Sequence, residues 1–139
     1  MTRRLTCDAS VLVAMLVDGG RSGQWATSAL AGADLLAPHL VLFEAANIFR
    51  RHELAELITP DQAAQAHVDL LDLPIDLWPY ALLAPRAWKL RNNLSTYDGS
   101  YVALAEMTQT ALVTLDVRLA RAPGIACDVV VLPSESDGS

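Results

Sequence analysis

"ALVTLDVRLARAPGIACDVVVL", residues 111–132, passes from strand to helix and back to strand. "ALVTL" is a short apolar run, "VRLARAPG" carries a short helical pattern, and "DVVVL" is apolar and β-branched again. Two strands joined through a helix do not form a tight hairpin. They lie parallel in one sheet, with the helix as crossover. Asp116 stands at the first change of pattern, where "ALVTL" gives way to the helix.

The same alternation extends back through the chain. "RRLTC" reads as a first strand ending at Asp8, and a helix begins around Ser10. Gly19 and Gly20 punctuate before a second helix, "SGQWATSALAGA", and "DLLAP" is a short strand stopped by Pro38. "HLVLFEAANIFRRHEL" is a long helix, with Arg50, Arg51 and His52 near its end, where cations suit the dipole. In "ITPDQAAQAHVDLLDL", Thr59 is the expected cap, Pro60 takes the first helical position and Gln62 completes a capping box. "PIDLWP" is a brief strand. "YALLAPRAWKLRNN" is a helix whose start Pro85 is expected to delay or whose axis it bends. "STYDGSYVALAE", residues 95–106, opens a further helix. Strands separated by helices predict an α/β fold with a mostly parallel sheet of about five strands, covered on both faces. With no repeat and no internal linker, residues 1–133 read as one domain and 134–139 as a polar tail.

The bulk composition narrows the class. The chain has 139 residues, 53% of them hydrophobic and 19% charged, enough to bury a core and too apolar for disorder. Its formal charge of −6 argues against nucleic-acid binding driven mainly by charge. Contact with RNA or DNA would need local basic patches and metal ions to offset the acids. Cys7 and Cys127 form no disulfide framework and lack metal-ligand spacing, which fits a reduced, cytoplasmic setting. The basic start followed by Val11–Val17 superficially imitates a secretion signal, but Asp8 interrupts it and no small-residue cleavage site follows. No stretch reaches the roughly 18 apolar residues of a membrane span.

Four acids stand where a sheet edge would collect them. Ligands of open α/β sheets gather at the carboxyl ends of strands, and Asp8 and Asp116 fall there. Both also precede helices, so each is equally a helix cap. Glu44 is less ordinary. Its helical neighbours are Leu40, Val41, Asn47 and Ile48, a stripe that is otherwise apolar. A carboxylate in such a place must be paired, protonated or bound to metal. Asp98 completes a capping box with Ser95, yet lies one turn before the core-like Tyr101 and Val102.

If these four converge, mutual repulsion demands a cation: two carboxylates about 5 Å apart at an effective dielectric near 20 repel by roughly 3 kcal/mol. Carboxylate oxygens select Mg²⁺ or Mn²⁺, and no His/Cys set favours zinc. One or two such ions would activate water and steady the leaving oxygen of a phosphodiester. Asp8 and Asp116 are the expected direct ligands, Asp98 a direct or water-mediated one. Glu44 would hold a second ion or orient the attacking water. Ser10, Asn47 and Thr114 are the candidate donors that steady those ligands.

"DAS" at 8–10, "EAAN" at 44–47, "YDGSYVALAE" at 97–106 and "TLDVRLA" at 114–120 together resemble the PIN-domain ribonucleases, and especially the VapC-like toxins of bacterial toxin–antitoxin pairs. The resemblance runs from about residue 5 to 132. It implies a three-layer α/β/α fold, Mg²⁺- or Mn²⁺-dependent RNA cleavage, frequent homodimers and inhibition by a cognate antitoxin. The acidic positions carry over to Asp8, Glu44, Asp98 and Asp116, and the small hydroxyl position to Thr114. Gly99 departs from the alanine that many relatives carry.

Basic residues near the acids, Arg118 and Arg121 first and Arg86 after them, are candidates for RNA phosphate contacts. Arg50 and Arg51 would meet an antitoxin or a dimer mate. Trp25, Trp78 and Trp88 could stack bases, though core or interface packing suits them as well. Cys7 points to the face opposite Asp8 and reads as a small core hydrophobe. Phosphotransfer proteins with strand-end acids resemble families that need a lysine late in the chain, whereas the lone Lys89 precedes Asp98 and Asp116. The remaining alternative is a non-catalytic PIN-like module that binds RNA or protein; loss of acids would mark it, and all four are retained.

Overall fold

A computed structural model describes residues 2–134. Its elements follow the order β1 (Arg4–Cys7), α1 (Ala9–Val17), α2 (Arg21–Leu30), β2 (Asp34–Pro38), α3 (Leu40–Leu54), α4 (Pro60–Asp72), β3 (Ile75–Trp78), α5 (Tyr80–Lys89), α6 (Thr96–Thr108), β4 (Ala111–Thr114), α7 (Val117–Arg121) and β5 (Val129–Val131). The polar tail expected at 134–139 lies, from residue 135 onward, outside the described residues.

All strand pairings are parallel, and the sheet order is β3-β2-β1-β4-β5. The chain steps from β1 to β2 to β3 in one direction, then jumps back past β1 to β4 and β5. Right-handed crossovers therefore put α1–α4 on one face and the later helices on the other, giving the three α/β/α layers. The reversal leaves β1 and β4 side by side, with Cys7 opposite Val113. Asp8 and Asp116 thus leave adjacent strands at the switch point of the sheet.

Strand alternation divides the core. Leu35 and Ala37 join the large cluster with Val11, Leu12, Val41 and Phe49. Leu36, between them, packs with Leu83, Ala87, Ala103 and Leu104 in a smaller one. Cys7 is fully buried, its thiol pushed far up by burial and by the neighbouring Asp8, as suits a small hydrophobe. Every residue of α6 from Gly99 to Ala105 is buried, so the helix carrying Asp98 is wedged into the interior and holds the acid firmly.

Local chemistry explains most boundaries. Thr59 and Gln62 make both bonds of a capping box at the start of α4. Pro85 does not delay α5, which starts at Tyr80 and contains it; burial of Leu83 and Ala87 offsets the backbone bond that proline forgoes. Gly99 faces the Ala87 carbonyl, which would lie 3.3 Å from an added Cβ, so the departure from alanine allows α5 and α6 to approach closely. Trp25 and Trp78 pack against the core clusters, whereas Trp88 is exposed beneath the Arg91 guanidinium, 4.6 Å from the ring centroid. No helix among the described residues is long and apolar enough to cross a membrane.

Candidate functional site

The four acids line one cavity of about 200 Å³, together with Ser10, Asn47, Ile48, Arg51 and Tyr101. It opens at the carboxyl ends of β1 and β4, with α3 and α6 supplying the remaining walls. A neighbouring cavity of about 360 Å³ is lined by Asn93, Leu94, Ser95, Asp98, Asp116 and Arg118. Asp98 and Asp116 belong to both, forming the wall between them.

Asp8 is the most deeply set, at 8% exposure. One carboxylate oxygen accepts the Ser10 hydroxyl at 2.7 Å and the Val11 N–H at 3.2 Å; the other accepts the Thr114 hydroxyl. Ser10 and Thr114 are themselves fixed. The Leu115 N–H donates to Ser10 Oγ at 3.0 Å, and the Asp116 N–H to Thr114 Oγ1 at 2.9 Å. Asp8 therefore caps α1 and faces the cavity with the same side chain. Burial raises its pKa, the three donors lower it, and the charge of Asp116 raises it again, for a net upward shift.

Glu44 accepts the Tyr101 hydroxyl at 2.6 Å. Burial, with the charges of Asp98 and Asp8, lifts its pKa despite that bond. Asp98 is lifted by burial and by Asp116, against the lowering effects of Arg118 and Ser95. Its backbone N–H donates to Ser95 Oγ at 3.0 Å, so it begins α6 and lines both cavities. Asp116 behaves oppositely. Arg118 grips both of its oxygens, at 3.0 and 2.7 Å, and holds its pKa below the ordinary carboxylate range.

The donor set fits a hard divalent cation: four carboxylates, three of them disfavoured as bare charges, line the cavity with no histidine or cysteine among them. The crowding is looser than the sequence suggested. Among the described residues, no three His, Cys, Asp or Glu side chains stand close enough to hold an ion as placed. Three of the four acids are engaged by other side chains instead, Asp8 by hydroxyls, Glu44 by a phenol and Asp116 by a guanidinium.

Comparison with known proteins agrees with this architecture. The PIN domain pattern matches residues 5–125. The chain belongs to the PIN-domain family. Ribonuclease VapC9 of Mycobacterium tuberculosis is 36% identical over 129 residues, covering 93% of this chain and 98% of that one. Ribonuclease VapC1 of the same organism is 37% identical over 124 residues, 88% and 92% of the two chains. PAE2754 of Pyrobaculum aerophilum superposes with a TM-score of 0.58 at 26% identity, covering 91% of this chain and 92% of that chain. Mycobacterium tuberculosis VapC20 shares the fold, with a TM-score of 0.67 at 17% identity over 88% and 96% of the two chains.

Within this PIN domain, the sequence-predicted donors Ser10 and Thr114 sit against Asp8, and Asn47 lines the cavity beside Glu44. Arg118 lies at the second cavity, and Arg121 is exposed at the end of α7. Arg86 lines neither cavity. Its guanidinium is paired with Glu106 at 2.6 Å and donates to the Gly124 carbonyl at 2.8 Å, which ties α5 to the segment before β5. Two polar cavity residues are not among the sequence-predicted site residues: Tyr101, and Arg51, which the sequence assigns to an antitoxin or a dimer mate. Tyr101 follows Asp98 by three residues and so shares its helix face, a usable signal. Arg51 follows Asn47 by four, but its place among other charges at the end of α3 disguised it.

Proposed function

We propose that this PIN domain is a divalent-cation-dependent endoribonuclease, the toxin of a toxin–antitoxin pair acting in the cytoplasm. The observation that carries the reading is the meeting of Asp8, Glu44, Asp98 and Asp116 around one cavity at the β1–β4 switch point. Mg²⁺ or Mn²⁺ bound there would supply a water of lowered pKa and positive charge opposite the leaving oxygen.

The chain's own residues do the rest. Asp8 is held in one orientation by Ser10 and Thr114 and needs no reorganisation to serve as ligand. Asp98 and Asp116 supply further oxygens, Asp98 directly or through water. Glu44, turned by Tyr101, orients the attacking water or holds a second ion. Arg51 brings a cation to the cavity rim where an RNA phosphate would sit. VapC9 and VapC1 carry the name ribonuclease, which supports the substrate class. Exposed Phe43, Leu54, Leu57 and Leu71, on and after α3 and along α4, support protein partners, a cognate antitoxin and a second copy of the chain.

Purified protein with Mg²⁺ or Mn²⁺ is expected to cut structured RNA, and its induction to arrest growth. Asp8→Asn should abolish both while leaving the fold intact by circular dichroism. Cleavage by the variant at the wild-type rate would show that the acids are not catalytic.

A further inference from the structure

Asp116 differs from the other three acids in being fully engaged by a cation from its own helix. Arg118 Nε donates to Oδ1 at 3.0 Å and Nη2 to Oδ2 at 2.7 Å, while the Arg118 N–H reaches Oδ1 at 3.0 Å. Each Asp116 oxygen therefore already accepts from Arg118 before any cation arrives. Yet the grip is an exposed one, with the Arg118 side chain 82% and the Asp116 side chain 26% accessible. Solvent-exposed ion pairs typically shift an equilibrium by no more than about fivefold, so a divalent cation competes with this one for the carboxylate. Once released, the guanidinium has a place to go. Arg118 is among the residues lining the 360 Å³ cavity beyond the Asp98–Asp116 wall, with Asn93 and Ser95. Its planar fork, which now matches a carboxylate, matches a phosphate equally well.

We propose that Arg118 is an exchangeable latch: it holds Asp116 while the acid cavity is empty of cation, yields the carboxylate on loading, and then binds an RNA phosphate in the adjoining cavity. The proposal rests on the reading of the site as a divalent-cation ribonuclease. It orders events, since the phosphate-binding arm is free only after the cation is in place. Arg118 is a positioning residue for Asp116 and a binding residue for the substrate.

The test is a Mn²⁺ titration followed by electron paramagnetic resonance, with anisotropy of a fluorescein-labelled, 2′-O-methyl phosphorothioate RNA 10-mer measured in Mn²⁺. In Arg118→Ala, Mn²⁺ should bind about two- to fivefold tighter, while the oligonucleotide binds about fivefold or more weakly with a shallower salt dependence. Loss of a positive charge alone would also favour Mn²⁺. Arg118→Lys separates the two causes, because it keeps the charge and loses the two-pronged grip. It should tighten Mn²⁺ binding while keeping most of the oligonucleotide affinity. Unchanged Mn²⁺ affinity in Arg118→Lys overturns the latch, and unchanged oligonucleotide affinity in Arg118→Ala overturns the phosphate role. Asp98→Asn, measured alongside, should weaken Mn²⁺ binding tenfold or more. If it does not, the cation site itself is wrong, a failure distinct from that of the latch. Arg118 is exposed, and matching circular dichroism spectra will show that the variants are folded.

Discussion

The Thr114 hydroxyl donates to the Asp8 carboxylate across the β1–β4 junction, joining residues 106 positions apart. The same hydroxyl accepts the Asp116 N–H at 2.9 Å. One small side chain, fully buried, thus fixes the relative placement of two acids that leave different strands.

Thr114→Val keeps the shape and removes both bonds. A buried donor and a buried acceptor left unmade cost about 1–3 kcal/mol each at most, so urea denaturation should show a loss of about 2 kcal/mol. The hydroxyl also lowers the Asp8 pKa, so the variant should hold Asp8 protonated to higher pH. Thr114→Ser retains both bonds and should recover most of the loss. Equal stability of the Val and Ser variants would mean that the hydroxyl contributes nothing.

Glu44 sets a pH dependence. Burial holds its folded pKa above the ordinary carboxylate value, reinforced by Asp98 and Asp8. A raised folded pKa means stability that is present below the unfolded value and lost as pH rises through the folded one. Glu44→Gln keeps an acceptor for the Tyr101 hydroxyl and removes the charge. In EDTA at neutral pH the variant should melt higher than wild type, and the gap should close as pH falls below the ordinary glutamate range. Excess Mn²⁺ should reverse the order. A variant that melts lower than wild type at pH 7 in EDTA would contradict this account.

Arg86 should matter for stability and not for substrate. Burial alone would raise the Glu106 pKa, but the Arg86 hydrogen bond, the Ala126 N–H and the Arg86 charge together bring it below the usual range. A depressed folded pKa contributes stability that is present above the unfolded value and lost as pH falls through the folded one. Arg86→Ala should therefore lower the melting temperature at pH 7, with the difference shrinking on acidification. The KM for RNA should stay at the wild-type value; a severalfold rise would restore Arg86 to the substrate surface.

Gly23 carries a packing prediction. A Cβ there would lie 1.6 Å from the Asp18 carbonyl oxygen and 2.8 Å from that of Ala14. Both are backbone atoms, so α2 must move away from α1 to admit a methyl group. Gly23→Ala should destabilise by about 1–3 kcal/mol or more, against the sub-kcal gain alanine brings to an open helix. Chemical denaturation decides it, and a stabilised variant would show that α2 shifts freely.

The amino-acid pattern alone determined the alternation of strands and helices, the parallel sheet and the acids at its edge. Those features are local. Apolar periodicity, the Thr59–Pro60–Gln62 start signal and the strand-end aspartates each report within a turn or two of chain. The delayed start expected from Pro85 fails for the same reason, because burial of Leu83 and Ala87 of α5 against α6 outweighs a local preference. Asp8 and Asp116 each cap a helix and also line the acid cavity, so the cap reading does not exclude the site reading.

What tertiary structure alone decided is which distant side chain meets Asp8 and Glu44. The order β3-β2-β1-β4-β5 places Thr114 beside Asp8, and the burial of α6 brings Tyr101 to Glu44. The side-chain rotamer of Arg118 joins it to Asp116, and Arg86 turns to Glu106 instead of the cavity. A hydrogen bond needs about 3 Å and a direction, and neither is written in the spacing of residues a hundred positions apart.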